Sequence, residues 1–534
     1  MLWGLRMGSS GLSLKLAGVA ALVAAALRAG QLPGSPWWLH GASDAAARGW
    51  DAVKPGGRLH PQALLDSHAH VLVEGLLLVA VGYLLLQKSF KPAGKGNREA
   101  PLSRAEEDAL IAEWEPEPLV PPPPKGSAPP APVREVLVEQ RHGPHVVVEG
   151  RPVLDATSAD YLGLAGDERI ARACLETIAK YGVGSCGPRG FYGTFDVHLE
   201  LETAVAKYMG TPDAIVYSYD ATTMPSVVPP FANARDLIVV DEGVSHGIWS
   251  GVELSRAKVL TFKHNDVQDL ERCLQSIADQ DRKRPPKQLN RRFVAVEGVY
   301  ARTGDVAPLA AIYELAKKHK FRLIVDESDA IGVLGATGRG ALEAAGLPAD
   351  AAEIVGASLS TAVASIGGFC TGSKEVVEHQ RLSGLGYCFS ASQPPYTAVA
   401  ATKALEILAD EGDDRRAKAH ANAKLFRQLA ARIPQLRVLG DALPESAPAS
   451  LPLVHLRLAR DPAPEGYERG DAALQAVCDE ALRDGVLVAT AKYSMLERNR
   501  PPPSIRVHIT AAHTEDEVRA IAGAIARAAS RVLA

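Results

Sequence analysis

Four short segments carry the glycine, hydroxyl and charged side chains that could do chemistry in this chain. Glycines free the backbone to form tight loops, and hydroxyls, carboxylates and guanidinium groups bind and orient polar ligands. In chain order the segments read GVGSCGPRGFYGT (182–194), FKHND (262–266), IVDESDAIGVLGATGRG (324–340) and YCFSASQPP (387–395). A further segment, GASLSTAVASIGG (356–368), has the shape of a site that attaches a cofactor aldehyde, yet it contains no lysine. Because such an aldehyde is held as a Schiff base only by a primary amine, this segment alone cannot hold it.

Taken in this order and spacing, these segments resemble the α-oxoamine synthases. Those are pyridoxal-phosphate enzymes of the aspartate-aminotransferase fold (PLP fold type I) that condense an amino acid with an acyl-CoA. The segments WEPEPLVPPPP, GPRGFYGTFDVHLELE and HQRLSGLGYCFSAS narrow the resemblance to the long-chain-base subunits of serine palmitoyltransferase. The resemblance implies that the chain takes part in condensing L-serine with palmitoyl-CoA to 3-ketosphinganine, the first step of sphingolipid biosynthesis.

The position of the Schiff-base lysine can be located from the glycine pair that follows it. In catalytic members of the family the lysine lies six residues before that pair, which is Gly367 and Gly368 here, so Thr361 takes its place (367 − 6 = 361). The nearest lysine, Lys374, follows a strand at the start of a helix, and we expect its side chain to be solvated. The resemblance therefore implies that this chain carries no catalytic residue.

Other contacts to the cofactor have changed in the same direction. Asp326 matches the acid that pairs with the pyridinium nitrogen and is interpreted as vestigial, whereas Asp329 replaces a histidine near the ring hydroxyl. Asp220 stands where the family binds the cofactor phosphate, and its carboxylate would repel a dianion. Ser245 falls where an imidazole stacks on the cofactor ring, with His246 one place off. The sequence therefore predicts a site that no longer holds its own cofactor.

The features that persist are those that a neighbouring subunit could use. In this family the active sites lie at the dimer interface, and Tyr387, Ser390 and Ser392 match positions that reach the partner's cofactor phosphate, although Ala391 replaces the usual threonine. The resemblance implies that pyridoxal 5'-phosphate is bound covalently by the partner, the lysine-bearing long-chain-base subunit 2. It also implies a small activating subunit and an Orm-type regulator.

Four further residues are predicted to lie at the interface or to contact substrate. Cys186, Arg189 and Tyr192 belong to the glycine-rich loop, and Arg506 matches the arginine that grips the amino-acid carboxylate. Packing of tight turns is the alternative for the loop, because its glycines supply backbone freedom regardless of catalysis. For Arg506 a vestigial or structural role is the favoured interpretation.

The composition excludes several classes of function. The 58 basic and 62 acidic residues are interspersed and give a pI near 6.4, so no basic stripe is available for nucleic acid. The six cysteines show neither a CxxC pair nor metal-ligand spacing, which favours free thiols in a reducing compartment and predicts no metal site.

Along the chain, short runs of β-branched residues alternate with segments of helical periodicity, which predicts an α/β fold. The runs AIVYS, LIVVD, KVLTFKH, RFVAVEGVY, FRLIVDES and EIVGAS indicate a mostly parallel central sheet covered by helices, within a large domain at residues 134–400. SIRVHIT, followed by a helix capped by Thr514 and Glu517, indicates a smaller α+β domain at residues 401–534.

The N-terminal region is predicted to anchor the chain in a membrane. Residues 1–69 include an apolar run at 16–27, either an interfacial helix, which we favour, or the core of a cleaved signal. Residues 70–88 contain VLVEGLLLVAVGYLLL, a short membrane-spanning helix whose Glu74 would face another helix or the interface. The lysines after it would face the cytosol, so we expect a single-pass protein of the endoplasmic reticulum with a cytosolic main domain.

Residues 89–133 connect this anchor to the main domain. A capping-box pattern at Ser103 and Glu106 predicts a short helix that ends near Trp114, and a proline-rich linker follows it.

Two alternatives remain for the function as a whole. The chain could be an autonomous pyridoxal-phosphate synthase that uses Lys374 or another amine. It could also be a purely scaffolding or regulatory membrane protein that keeps the fold without entering any active site.

Overall fold

The computed structural model describes residues 102–119, 135–283, 290–440, 450–463, 466–493 and 497–533. The chain divides into two compact units, Met1–Pro130 and Ala131–Ala534. The predicted interfacial helix, the predicted membrane-spanning helix and most of the proline-rich linker lie outside the described residues. Within the described ranges, no helix combines the length and the hydropathy needed to cross a membrane.

The described part of the first unit contains one helix, α1 (Arg104–Glu113). Its first turn is closed by a capping box, as predicted: the backbone N–H of Glu106 donates to Ser103 Oγ, and that of Ser103 donates to Glu106 Oε2 at 2.8 Å. Trp114 ends the helix in extended conformation, which confirms the predicted end.

The second unit holds fifteen strands and twelve helices within its described residues. The strands are β1 (Val138–His142), β2 (His145–Val148), β3 (Arg151–Asp155), β4 (Asp213–Tyr217), β5 (Leu237–Asp241), β6 (Lys258–Phe262), β7 (Arg292–Glu297), β8 (Arg322–Asp326), β9 (Ile354–Ser358), β10 (Gly368–Gly372), β11 (Leu436–Val438), β12 (Leu453–Leu458), β13 (Val486–Leu487), β14 (Ala489–Thr490) and β15 (Ser504–His508). The helices are α2 (Glu168–Tyr181), α3 (Asp196–Met209), α4 (Thr223–Val227), α5 (His246–Ser255), α6 (Val267–Lys283), α7 (Leu309–His319), α8 (Ala341–Ala344), α9 (Lys374–Ser383), α10 (Leu385–Cys388), α11 (Pro395–Ala430), α12 (Tyr467–Arg483) and α13 (Glu515–Val532).

The central sheet has seven strands in the order β4-β10-β9-β8-β7-β5-β6. Strand β10 runs antiparallel to β4 and β9, and the remaining neighbours are parallel, so the mostly parallel sheet is confirmed. All positions of β5, β9 and β10 are buried, as expected for strands with helices on both faces. The six strands predicted from their β-branched runs are β4 to β9.

Two smaller sheets lie in the same unit. One has the order β11-β12-β15-β14 and is antiparallel throughout, which confirms the smaller C-terminal sheet. It packs with α12 and α13 around a second hydrophobic core. The other has the order β1-β2-β3-β13 and was not predicted. The division at 400/401 stays a prediction, and that position lies inside α11.

The parallel strands bring the polar loops to one edge of the central sheet. Glu297, Asp326 and Ser358 are the last residues of β7, β8 and β9, and Ser245 follows β5 by a short loop. In open parallel sheets, ligands bind in the crevice beyond the carboxyl ends of the strands. The fold therefore places the candidate site at this edge.

Candidate functional site

A cavity of about 230 Å³ opens at the carboxyl edge of the central sheet. Its polar lining consists of four carboxylic acids and four hydroxyl residues, Thr361 among the latter. No lysine, arginine or histidine is among the described residues that line it. The acids are Asp220, Glu297, Asp326 and Asp329.

Thr361 occupies the position at which catalytic members of the resembled family have the Schiff-base lysine. Its side chain is buried, and its Oγ1 donates a hydrogen bond to the carbonyl oxygen of Ser328 at 2.7 Å. Lys374 is exposed at the first position of α9 and is not among the residues that line the cavity. A hydroxyl committed to a backbone carbonyl cannot replace the amine.

Glu297 and Asp326 form a buried pair of carboxyls at the ends of adjacent strands. Burial raises the pKa of both groups, and the charge of Asp326 raises that of Glu297 further. The backbone N–H groups of Ser245 and Ala301 donate to Glu297, and the N–H of Ser328 donates to Asp326 at 2.9 Å. Burial of the two carboxyls near each other therefore disfavours their ionised forms, because the charges lose water and like charges repel.

Asp220 fills the turn where a cofactor phosphate would be expected. The hydroxyl of Ser360 donates to Asp220 Oδ2 at 2.6 Å, and that of Ser358 donates to the same oxygen at 3.4 Å. The backbone N–H of Ala221 donates to Oδ1 at 2.7 Å. The hydrogen-bond donors in and around this turn therefore already bind the side chain of Asp220.

Asp329 lies beside a buried tyrosine. The hydroxyl of Tyr161 donates to Asp329 Oδ1 at 2.7 Å. Burial raises the pKa of Asp329, although Tyr161 and the nearby positive charge of Arg506 act against this. Arg506 itself is exposed on β15. Asp329, the acid that replaces the histidine of the resembled family, is therefore hydrogen-bonded to Tyr161 within the chain.

Pyridoxal phosphate does not fit the residues of this cavity. Such a cofactor needs an amine for its aldehyde and donors or cations for its phosphate. The cavity instead offers the hydroxyl of Thr361, which is bonded to Ser328, and the carboxyl group of Asp220, which already accepts the nearby hydrogen bonds.

The predicted phosphate-reaching residues form a second, separate cluster. Tyr387, Ser390 and Ser392 line one small cavity together with Arg189 and His198. A β-bridge between Pro188 and Ala391 joins the glycine-rich loop (182–194) to the serine segment (387–393). The backbone N–H of Ser392 also donates to the carbonyl of Gly187 at 2.9 Å. The structure therefore brings together residues that lie about two hundred positions apart.

The three members of the serine segment differ in their surroundings. Ser390 is half-buried and its Oγ donates to the carbonyl oxygen of Ala391 at 3.3 Å, whereas Ser392 is buried and its Oγ has no hydrogen-bond partner in the described part of the chain. Tyr387 is half-buried, and the guanidinium of Arg189 lies over its ring at 5.2 Å. A half-buried hydroxyl and an unpaired buried one are both able to bind a polar ligand.

The predicted interface residues of the glycine-rich loop point in different directions. Cys186 and Tyr192 are exposed and have positive φ, +56° and +63°, a region that non-glycine residues rarely adopt. Arg189 is buried, and its Nη1 donates to Glu202 at 2.9 Å. Its charge is thus paired inside the chain, and a contact from Arg189 to substrate or a partner stays a prediction.

Two residues of this cluster were missed from the sequence, His198 and Glu202. Both are buried on α3, and they lie four positions apart beside the apolar Val197 and Leu201. The sequence signal that could have identified them is a histidine and a glutamate four residues apart on the apolar face of a helix. Polar residues on such a face need partners, and here the two neighbouring loops supply them.

Large apolar side chains are exposed on and beside the same loops. A monomer rarely exposes so many in one stretch of surface, and such patches mark protein interaction sites. They are Val183, Phe191, Tyr192, Leu382, Leu385 and Phe389.

Comparison with known proteins identifies close relatives over most of the chain. Residues 151–525 match the aminotransferase class I and II family. The rice protein "Long chain base biosynthesis protein 1b" is 42% identical over 87% of this chain and 92% of its own length. "Serine palmitoyltransferase 1" of Dictyostelium discoideum is 38% identical over 87% of this chain and 94% of its own length.

Solved structures of similar fold carry related names. The serine palmitoyltransferase of Sphingomonas wittichii superimposes with a TM-score of 0.65 at 25% identity, over 80% of this chain and 96% of that one. A serine palmitoyltransferase from S. paucimobilis with bound PLP–myriocin gives a TM-score of 0.65 at 26% identity, over 74% and 93%.

Proposed function

Because the chain belongs to the class I and II aminotransferase family and is a homologue of serine palmitoyltransferase subunit 1, we propose that it is the non-lysine subunit of that enzyme. Serine palmitoyltransferases are pyridoxal-phosphate-dependent acyltransferases of fold type I that act in sphingolipid synthesis. The substrates are L-serine and palmitoyl-CoA, and the products are 3-ketosphinganine, carbon dioxide and free CoA. The lysine belongs to a partner, long-chain-base subunit 2.

One observation carries this proposal: the hydroxyl of Thr361 stands in place of an amine and is bonded to Ser328 at 2.7 Å. Asp220 supports it, because its carboxylate engages the hydroxyls of Ser358 and Ser360 where a phosphate would bind. A chain with these two features gains turnover only by contact with a chain that holds the cofactor.

The contribution of this chain comes from the glycine-rich loop and the serine segment. Ser390, Ser392 and Tyr387 are proposed to reach the phosphate of the cofactor bound by the partner. Three observations support this: Ser390 is only half-buried, Ser392 Oγ has no partner within the described part of the chain, and the β-bridge at Pro188 and Ala391 holds the two segments together. Cys186 and Tyr192 are exposed on the same loop, where they would contact the partner.

We further propose that the chain is anchored in the endoplasmic reticulum membrane. The apolar run within residues 70–88 would span the bilayer once, and the lysines that follow would face the cytosol. A small activating subunit and an Orm-type regulator would join the complex near this anchor.

The test is to locate the cofactor in the assembled complex. The chain is co-expressed with the lysine-bearing subunit, the complex is reduced with borohydride, and tryptic peptides from both chains are analysed by mass spectrometry. We expect the reduced cofactor on a lysine of the partner only, and no 3-ketosphinganine from this chain alone. Lys374→Arg serves as the control and should leave turnover unchanged.

Two outcomes would contradict the proposal in distinct ways. Reduced cofactor on Lys374 or another lysine of this chain would establish an autonomous synthase. A Ser390→Ala/Ser392→Ala complex that assembles with unaltered cofactor affinity and turnover would instead show a scaffold without a role in the partner's site.

A further inference from the structure

Glu202 is a buried carboxylate on which three separate elements converge. Its Oε1 accepts hydrogen bonds from Arg189 Nη1 at 2.9 Å and from the backbone N–H of Val216, in β4, at 3.3 Å. Its Oε2 accepts from Arg381 Nη1, in α9, at 3.1 Å. Only 4% of the Glu202 side chain is exposed, so both ion pairs form largely out of water.

One arginine lies on the glycine-rich loop, and the other lies on α9, the helix that precedes the serine segment. Arg189 belongs to the glycine-rich loop, and its Nε also donates to Thr194 Oγ1 at 3.0 Å. Arg381 is near the end of α9, a few residues before Tyr387, and its Nη2 donates to the carbonyl of Ala214 at 3.2 Å. The carboxylate of Glu202 therefore joins the glycine-rich loop to α9, the helix that leads into the serine segment, through two guanidinium groups.

The negative charge of Glu202 is needed to hold the two arginines in place. Two guanidinium groups share one buried carboxylate, and the other acids near Arg381 are more exposed, Asp213 at 3.6 Å and Glu378 at 3.4 Å. Without the carboxylate, Arg189 would be a buried charge with no anion beside it. It would have to move, and the Tyr387 ring beneath it would move too.

We propose that Glu202 is the positioning residue that fixes Tyr387, Ser390 and Ser392 for the cofactor phosphate of the partner subunit. This inference rests on the proposed function, since it concerns the same contact across the subunits. Glu202 touches neither substrate nor cofactor; it acts through Arg189 and Arg381. Supporting residues of this kind set how accurately a binding group is held.

The test compares Glu202→Gln with Glu200→Gln in the complex with the lysine-bearing subunit. Glu200 lies on the same helix but is exposed, so its variant makes the same chemical change without touching the arginines. The apo complex is titrated with pyridoxal 5'-phosphate, and binding is followed by the absorbance of the bound cofactor. We expect Glu202→Gln to co-purify normally and to bind the cofactor about tenfold more weakly. Glu200→Gln should bind it as the wild type does.

Ser390→Ala/Ser392→Ala provides the reference for the proposed function. If that variant binds the cofactor more weakly while Glu202→Gln binds normally, the role of Glu202 is wrong and the proposed function stands. If neither variant alters binding, the contact across the subunits itself is wrong.

A second variant covers the case in which Glu202→Gln does not assemble. Glu202→Asp keeps the buried charge but is one methylene shorter, so it cannot reach both arginines at hydrogen-bond distance. We expect it to assemble and to bind pyridoxal 5'-phosphate more weakly than the wild type. Wild-type affinity in Glu202→Asp would overturn the inference.

Discussion

The ring of His198 connects the start of α3 to the backbone of the serine segment through Gln393. His198 Nδ1 accepts a hydrogen bond from the backbone N–H of Phe195 at 3.0 Å, so Nε2 carries the proton and donates to the carbonyl oxygen of Gln393 at 2.8 Å. Burial lowers the pKa of His198, which keeps the ring neutral and this tautomer in place.

His198→Ala is expected to destabilise the chain and to loosen the serine segment. The change leaves the Phe195 N–H and the Gln393 carbonyl without their partner, and a buried unsatisfied group costs about 1–3 kcal/mol. Urea unfolding of the purified chain measures this loss. His142→Ala, on the exposed strand β1, is the control and should change the free energy of unfolding by less than about 0.5 kcal/mol. Equal stabilities of the two variants would contradict the role of His198.

His264 is expected to stabilise the fold at neutral pH and to lose this effect in alkali. Burial lowers the pKa of His264, but hydrogen bonds to Asp241 at 2.9 Å and Asp305 at 3.3 Å outweigh it and raise the pKa to about 9. The folded state therefore holds this proton more tightly than the unfolded state, whose histidine pKa is about 6.5. The contribution, roughly 3 kcal/mol, is complete below that value and disappears as the pH rises through about 9.

The measurement compares the free energy of unfolding of wild type and His264→Gln across this range. The difference between them should be largest near neutral and mildly acidic pH and should shrink above the folded pKa. A difference that stays constant into alkali would show that His264 acts through packing alone.

Adding a lysine to the cavity is not expected to restore cofactor binding by itself. In Thr361→Lys the amine is present, but the side chain of Asp220 still accepts the hydrogen bonds of Ser360 and of the Ala221 N–H, which a phosphate would need. Thr361→Lys/Asp220→Gly should therefore bind more pyridoxal phosphate than Thr361→Lys, because it removes the repulsion of a dianion. Borohydride reduction and mass spectrometry of this chain quantify the bound cofactor.

The matched control for that comparison is Thr361→Lys/Asp410→Ala, which removes an exposed carboxylate on α11. It should bind no more cofactor than Thr361→Lys. If the single variant already binds as much as the double variant with Asp220→Gly, Asp220 does not bar the phosphate.

Exposed aromatic residues of the two loops are expected to bind the partner subunit. Tyr192 is fully exposed and Phe389 is 81% exposed, so a charge at either position leaves the fold of this chain intact. Tyr192→Asp and Phe389→Asp should each weaken assembly with the lysine-bearing subunit by about tenfold or more, since aromatic anchors dominate interface energies. Leu137→Asp, beside β1, changes an equally exposed apolar residue away from these loops and should assemble normally. Normal assembly of all three would place the interface elsewhere.

The sequence predicted the part of the fold that depends on side-chain pattern. Strands β4 to β9 are runs of β-branched and apolar residues, and Thr514 and Glu517 form the expected capping box. Strand β10 was missed, because its sequence GFCTG has glycine at both ends and lacks that pattern. It forms a strand since it is buried between β4 and β9, a contact between distant parts of the chain that no local rule contains.

For the candidate site, the sequence likewise predicted which residues belong to it but not how all of their side chains are directed. Thr361, Asp220, Asp326 and Asp329 were found by spacing, and the structure places all four in one cavity. The inward direction of Arg189 could not be predicted, because it depends on Glu202 and on the pairing of two loops that are distant in sequence. Local patterns identify the residues of a site, whereas tertiary contacts decide which way each side chain points.

Helix α11 has a mechanical consequence for the serine segment. Its 36 residues form a rod about 54 Å long that begins at Pro395, directly after Gln393 and Pro394, and ends in the second hydrophobic core at Ala430. The same helix packs in the first core through Ala398 and Ala401, so no loop interrupts the chain between the end of the serine segment and the second core. Because one continuous helix joins them, the serine segment and the second core share one rigid support.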